Sequence, residues 1–92
     1  MSAIISFRSS CDEYSDVDVF IPDPDKDGAE WVFMVSRERV SGLINVGDVR
    51  YAPNPDAEFM DAEGEPQLSV MMTLAEAMPD VLEMLMRRPS HE

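Results

Sequence analysis

The sequence predicts one α+β domain, in which a small antiparallel sheet of three to five strands is packed by one C-terminal helix. Three observations support this prediction. The chain has 92 residues, which is the size of a single domain. Short segments rich in β-branched and aromatic residues occupy its first half. One long segment with helical periodicity follows near the carboxyl end.

Four short segments have the composition and the alternation of β-strands. They cover about residues 3–8, 17–21, 30–36 and 46–51. The third segment carries apolar residues on both of its faces, which is typical of a central strand that is covered on both sides. One face has Trp31, Phe33 and Val35, and the other has Val32 and Met34. The second and third segments flank a stretch of turn-forming residues and predict a hairpin.

Two further segments are less regular. Residues 36–46 fit either a helical turn capped by Ser36, with Val40, Leu43 and Ile44 facing inward, or a strand with Gly42 at a bulge. Residues 52–66 contain three prolines, one glycine and five acidic residues. This composition predicts a long acidic loop, in which Phe59 and Met60 contact the core.

The helix is predicted over about residues 69–88, with Ser69 as its N-cap. Its apolar face carries Val70, Leu74, Ala77, Met78, Val81 and Leu85, and its polar face carries Thr73, Glu76, Asp80, Glu83 and Arg87. Arg87 and Arg88 suit the carbonyl end of the helix dipole, and Pro89 ends the helix. Pro79 predicts a kink, because the apolar stripe keeps its phase across the proline. The alternative is two short helices that meet at Pro79.

The apolar arc of this helix spans about 200° at roughly 100° per residue, whereas a helix on one sheet needs a stripe of about 100°. A second cover is therefore expected, which a loop of the chain, a second copy or a target protein would provide. The residues predicted to form this dimer or second contact are Met71, Met72, Leu82 and Met86. The alternative is that the methionines fill an irregular core.

The net charge is −12, from 19 acidic and 7 basic residues. Such a surface repels nucleic acids and anionic membranes, and it favours a basic surface of a protein or ribonucleoprotein complex as the partner. The single cysteine, Cys11, excludes a disulfide within the chain and favours a reducing compartment. Because no signal peptide and no apolar run of about 20 residues are evident, we expect a cytoplasmic protein.

Asp23, Asp25, Asp27 and Gly28 match the first half of an EF-hand calcium loop. The match ends there, because Met34 stands where the loop needs a bidentate carboxylate. A solvated hairpin turn is the alternative, so these three aspartates are a weak metal candidate and no other metal or cofactor is expected. His91 is the only histidine and no nucleotide-binding motif occurs, which argues against an enzyme.

Carboxylates spread over a small rigid body can imitate the charge spacing of a nucleic-acid backbone. The residues predicted to form such an acidic face are Asp23, Asp25, Asp27, Asp56, Glu58, Asp61, Glu63 and Glu65. In general character the chain resembles the small phage or mobile-element inhibitors of bacterial defence, of the anti-CRISPR and anti-restriction kind. That resemblance implies a non-enzymatic inhibitor that blocks a basic nucleic-acid-binding surface. The alternatives are a dimeric accessory or immunity-type protein that uses the Met-rich helix, and a weak calcium-binding module.

Overall fold

The chain folds as a five-stranded antiparallel sheet with one α-helix across one face. The computed structural model describes residues 3–86. Its elements are β1 (Ile4–Ser10), β2 (Tyr14–Pro22), β3 (Glu30–Glu38), β4 (Ile44–Ala52), β5 (Met60–Asp61) and α1 (Leu68–Met86). The strands lie in the order β1-β2-β3-β4-β5, so each pairs with its neighbour in sequence. The predicted α+β class with a C-terminal helix is confirmed.

The core lies between α1 and one face of the central strands β2 and β3. Alternate residues of a strand share a face. The apolar residues predicted on one face of β2 and of β3 therefore lie opposite each other in the hairpin. The predicted hairpin is confirmed, with Val17 opposite Val35 and Ile21 opposite Trp31. The buried core side chains are Val17, Val19, Ile21, Trp31, Phe33, Val35, Val70, Leu74, Val81 and Leu85.

The strands extend beyond their predicted ends where polar side chains bond across the sheet. Ser15 is fully buried in β2, and its hydroxyl accepts a hydrogen bond from Arg39 Nη2 at 2.9 Å. Asp16 accepts hydrogen bonds from Ser9 at 3.0 Å and from Ser36 at 2.5 Å. Hydrophobic alternation misses these strand ends, because their pairing depends on polar partners that are distant in sequence.

The β3–β4 connection differs from both sequence interpretations. Residues 39–43 form a turn that connects the two strands. Val40 is 92% exposed and Leu43 is 69% exposed, so the helical turn with these side chains inward is wrong. Gly42 lies in this turn with φ of +75°, a left-handed conformation that glycine adopts without steric cost. The pairing of β4 with β3 shifts its register at residues 47–48 of β4, and not at Gly42, where the strand interpretation placed a bulge.

A short fifth strand interrupts the predicted acidic loop. Met60 and Asp61 pair with Tyr51 and Arg50 of β4. Phe59 packs edge-on against Phe20, with ring centroids 5.7 Å apart, on the sheet face opposite α1. Met60 is 70% exposed, so the expectation that it contacts the core is wrong. A two-residue strand leaves no periodic signal in the sequence.

Helix α1 continues from Leu68 to Met86 with Pro79 inside it, so the alternative of two separate helices is wrong. The predicted kink at Pro79 stays a prediction. The Gln67 carbonyl accepts hydrogen bonds from the amides of Val70 and Met71, and the helix therefore begins before Ser69. No helix in residues 3–86 is long and apolar enough to cross a bilayer.

One residue of the predicted polar face is buried. Thr73 is 8% exposed, and its hydroxyl donates a hydrogen bond to the Ser69 carbonyl at 2.9 Å. This backbone bond satisfies the hydroxyl and allows a polar side chain on the sheet-facing side of the helix. The predicted end of the helix at Arg87, Arg88 and Pro89 lies outside the described residues.

We predict that Leu74→Ala destabilises the protein by about 2–5 kcal/mol, because it leaves a cavity in the core under α1. Leu74 is 6% exposed, whereas Leu82 on the same helix is 38% exposed. The matched control Leu82→Ala is expected to cost about 1 kcal/mol or less. Urea unfolding measures both free energies, and equal losses would contradict the packing described here.

Candidate functional site at the acidic end of the sheet

The carboxylate of Asp23 joins three parts of the chain. The hydroxyl of Tyr51, at the end of β4, donates a hydrogen bond to Asp23 Oδ2 at 2.6 Å. The side-chain amide of Gln67, directly before α1, donates to Asp23 Oδ1 at 2.7 Å. The backbone amide of Asp25 donates to the same oxygen at 2.8 Å. The β2–β3 turn, strand β4 and the start of the helix therefore meet at one residue.

Further contacts bring the two acidic segments of the sequence to this end of the sheet. Gln67 Nε2 also donates to Asp25 Oδ2 at 2.9 Å. Gly28 adopts φ of +82°, and a Cβ built on it would lie 3.0 Å from Pro55 Cδ. The segment that carries the remaining acids thus leaves from Tyr51, passes Gly28 and returns to Gln67. The sequence predicted the acidic residues but not these contacts between the two segments that carry them.

We call this region the acidic end, defined by Asp23, Asp25, Asp27, Asp56, Glu58, Asp61, Glu63 and Glu65. Asp23 is half-buried, and the other seven side chains are exposed. Lys26 is the only basic residue in segments 22–30 and 52–67. The two segments of the acidic end therefore carry a negative charge with little neutralisation from within these segments.

The hydrogen bonds at the acidic end change the acidity of two groups. Desolvation acts to raise the pKa of Asp23, but hydrogen bonds from Tyr51, the Asp25 amide, Gln67 and the Lys26 amide outweigh it and lower that pKa below 3.8. The pKa of Tyr51 is raised above 10.0, first by its hydrogen bond to Asp23 and then by desolvation and the nearby charge. Asp23 is thus held ionised, and Tyr51 is held protonated.

The calcium candidate is not assembled as a metal site. Among residues 3–86, no group of three or more His, Cys, Asp or Glu side chains is placed to hold a metal ion. Asp23 and Asp25 both accept hydrogen bonds from the Gln67 amide, so those oxygens already have a donor. Asp27 is an exposed side chain of the same turn.

The residues predicted as a dimer or second contact lie on the exposed flank of α1. Met71 is 42% exposed, Met72 56%, Leu82 38% and Met86 63%. Leu68, which the sequence analysis did not include, is 76% exposed on the same helix. The second cover predicted for the helix is not provided by the described part of the chain.

Sequence reasoning missed a cavity of about 390 Å³ beside β4 and β5. Its lining residues are Trp31, Tyr51, Pro53, Met60, Asp61, Ala62, Glu63 and Gly64. The rings of Trp31 and Tyr51 lie 4.6 Å apart and form its aromatic wall. Trp31 is 7% exposed, and within the described residues its indole N–H has no hydrogen-bond acceptor. The sequence held only an indirect signal, an aromatic residue in each of two adjacent predicted strands.

Two arginines lie on the sheet face opposite α1, in a shallow depression with Asp18 and Phe59. Arg8 Nη2 lies 3.2 Å from Asp18 Oδ1, yet that oxygen receives no well-aligned hydrogen bond, so the pair is held by charge alone. Arg50 Nε lies 3.8 Å from Asp61 Oδ1, which is a loose and exposed ion pair. These cations leave the charge of the acidic end largely uncompensated.

Comparisons with protein-family models, with curated protein sequences and with solved structures found no significant match. The function is therefore inferred from the charge, shape and contacts of the chain itself.

We predict that Tyr51→Phe lowers the free energy of unfolding at neutral pH and that this difference from the wild type becomes smaller at acidic pH. The bond from Tyr51 lowers the folded-state pKa of Asp23, so its stabilisation is present above the unfolded value of about 3.8. That stabilisation is lost as the pH falls through the lower folded-state pKa. Urea unfolding of both proteins from neutral pH into acid measures the difference, and a difference independent of pH would contradict the assigned bond.

Proposed function

We propose that the protein is a non-enzymatic inhibitor that binds a basic, nucleic-acid-binding surface of another protein or ribonucleoprotein complex. The single observation that supports this proposal is the acidic end, where the Asp23 hydrogen bonds join the turn that carries three acids to both ends of the segment that carries the other five. Such a surface competes with nucleic acid for the same cations. Direct binding of nucleic acid is disfavoured by the net charge of −12.

The acidic end suits this role because the two segments that carry its charges are linked to each other. The hydrogen bonds to Asp23 hold the β2–β3 turn, and Pro55 of the second acidic segment lies beside Gly28 of that turn. A surface ordered before binding loses less conformational entropy when the complex forms. The proposed place of action is the cytoplasm of a bacterial cell, against a defence or nucleic-acid-processing complex, and the proposed origin is a phage or mobile element.

We predict that neutralising four exposed acids of the acidic end weakens partner binding about tenfold or more and flattens its dependence on salt. The variant is Asp56→Asn, Glu58→Gln, Asp61→Asn and Glu63→Gln. Its partner is first captured from a nuclease-treated lysate of the source cells by the wild-type protein and identified by mass spectrometry. Calorimetry with the purified partner then gives the dissociation constants over a series of salt concentrations.

The matched control removes the same number of charges elsewhere, as Asp12→Asn, Glu13→Gln, Glu76→Gln and Asp80→Asn, all of which are exposed. We expect this control to bind like the wild type, and duplex DNA or RNA to compete with both. Equal weakening by the two variants, or a partner that binds the protein and nucleic acid simultaneously, would contradict the proposal.

A second candidate function is a dimeric accessory or immunity-type protein, which the exposed flank of α1 favours. Met71, Met72, Leu82 and Met86 lie on one helix and are all more than a third exposed. Flexible methionine side chains suit adaptable protein contacts. This flank consists of apolar side chains and the acidic end of carboxylates, so the two functions are separable by mutation.

If the second candidate is correct, the protein sediments as a dimer at micromolar concentration, and Met72→Gln with Met86→Gln shifts it to the monomer. Polar replacements are expected to act here because the apolar area buried in the dimer provides its stability. The control is Glu76→Gln with Asp80→Asn on the exposed side of the same helix. A wild-type protein that is monomeric throughout the concentration series would exclude this candidate.

A further inference from the structure

We propose that the cavity beside β4 and β5 is the anchor point of the acidic end and that it receives an arginine side chain of the partner protein. This inference rests on the proposed function and specifies the chemistry of its partner. The cavity, of about 390 Å³, lies within the range of about 300–1,000 Å³ that is usual for ligand pockets. It is the feature of the acidic end that offers shape as well as charge.

The walls of the cavity match the two parts of an arginine side chain. Pro53, Met60 and Ala62 provide an apolar lining for its methylene groups. The ring of Tyr51, which packs against Trp31, provides aromatic surface on which a planar guanidinium stacks favourably. No lysine or arginine lines this cavity, so an incoming cation meets no like charge among its walls.

The rim carries the charges that would select a cation. Asp61 and Glu63 both line the cavity and are exposed, and the side chain of Asp61 is 89% exposed. Arg50 Nε approaches Asp61 only to 3.8 Å, so an arginine from outside can form a closer, bidentate pair. Two carboxylates beside two aromatic rings select a guanidinium over a neutral side chain.

Trp31 forms the buried part of the aromatic wall. It is 7% exposed and its indole nitrogen is buried, whereas Tyr51 is half-buried. The guanidinium is therefore expected to stack on Tyr51, with the ring of Trp31 packed behind it.

The test uses the indole signal of Trp31, because it is the only tryptophan in the chain. The probe is acetyl-glycyl-arginyl-glycinamide, titrated into the isotope-labelled full chain and followed by proton–nitrogen correlation spectra. We expect the indole resonance to shift and to saturate with a dissociation constant of about 1 mM. The control peptide carries citrulline in place of arginine, which keeps the shape and removes the charge, and it is expected to leave the resonance unchanged.

Two matched variants locate the binding. Asp61→Asn with Glu63→Gln removes the two rim charges. We expect this variant to bind the arginine peptide with a dissociation constant about threefold or more above that of the wild type. Asp12→Asn with Glu13→Gln removes the same charge outside the acidic end without altering the cavity lining, and we expect binding within about twofold of the wild type. All four side chains are exposed, so both variants are expected to fold.

An indole resonance that does not move, or equal weakening by the two variants, would overturn the proposal. If the peptide test fails in this way but neutralising the acidic end still weakens partner binding, only the cavity assignment fails and the proposed function stands. If the arginine peptide binds as expected but neutralising the acidic end does not change the affinity for the partner, the cavity assignment stands and the proposed function fails.

Discussion

The hydrogen bonds received by Asp23 are the interaction on which the arrangement of the acidic end depends. Tyr51 and Gln67 donate from segments 28 and 44 residues away along the chain. A carboxylate that accepts several hydrogen bonds in its ionised form gains more from them than a neutral group would. One side chain therefore fixes the turn after β2, the end of β4 and the start of α1. The sheet and helix provide the core, and this carboxylate links the acidic turn to both ends of the second acidic segment.

This arrangement gives the aspartates of one turn different roles. Asp23 is half-buried and engaged in hydrogen bonds, whereas Asp27 remains exposed and available to a partner. The same division explains why the turn resembles a calcium loop in sequence but does not assemble one in the structure. Its glycine adopts the left-handed conformation that such a loop needs, yet the space beside it is occupied by Pro55. A turn rich in aspartate and glycine thus serves here to join two acidic segments.

The sequence predicted the fold well where hydrophobic periodicity is strong. The β2–β3 hairpin and the four buried aliphatic residues of α1, Val70, Leu74, Val81 and Leu85, follow directly from periods of two and of about 3.6 residues. It failed where polar contacts between distant residues decide the structure. Ser15 is buried because Arg39 reaches it, Thr73 because its hydroxyl bonds to the preceding turn, and β5 forms because it pairs with β4. The acidic residues of the candidate site were visible in the sequence, whereas the cavity beside Trp31 required the pairing of β4 with β5.

The most direct test of this account is the pKa of Asp23, measured from the carboxyl carbon chemical shift of the labelled protein as a function of pH. The account predicts a midpoint below 3.8, together with a change of the Gln67 side-chain amide resonance at the same midpoint. A midpoint at or above 3.8, with a Gln67 amide that does not respond, would show that Asp23 does not hold the three segments together.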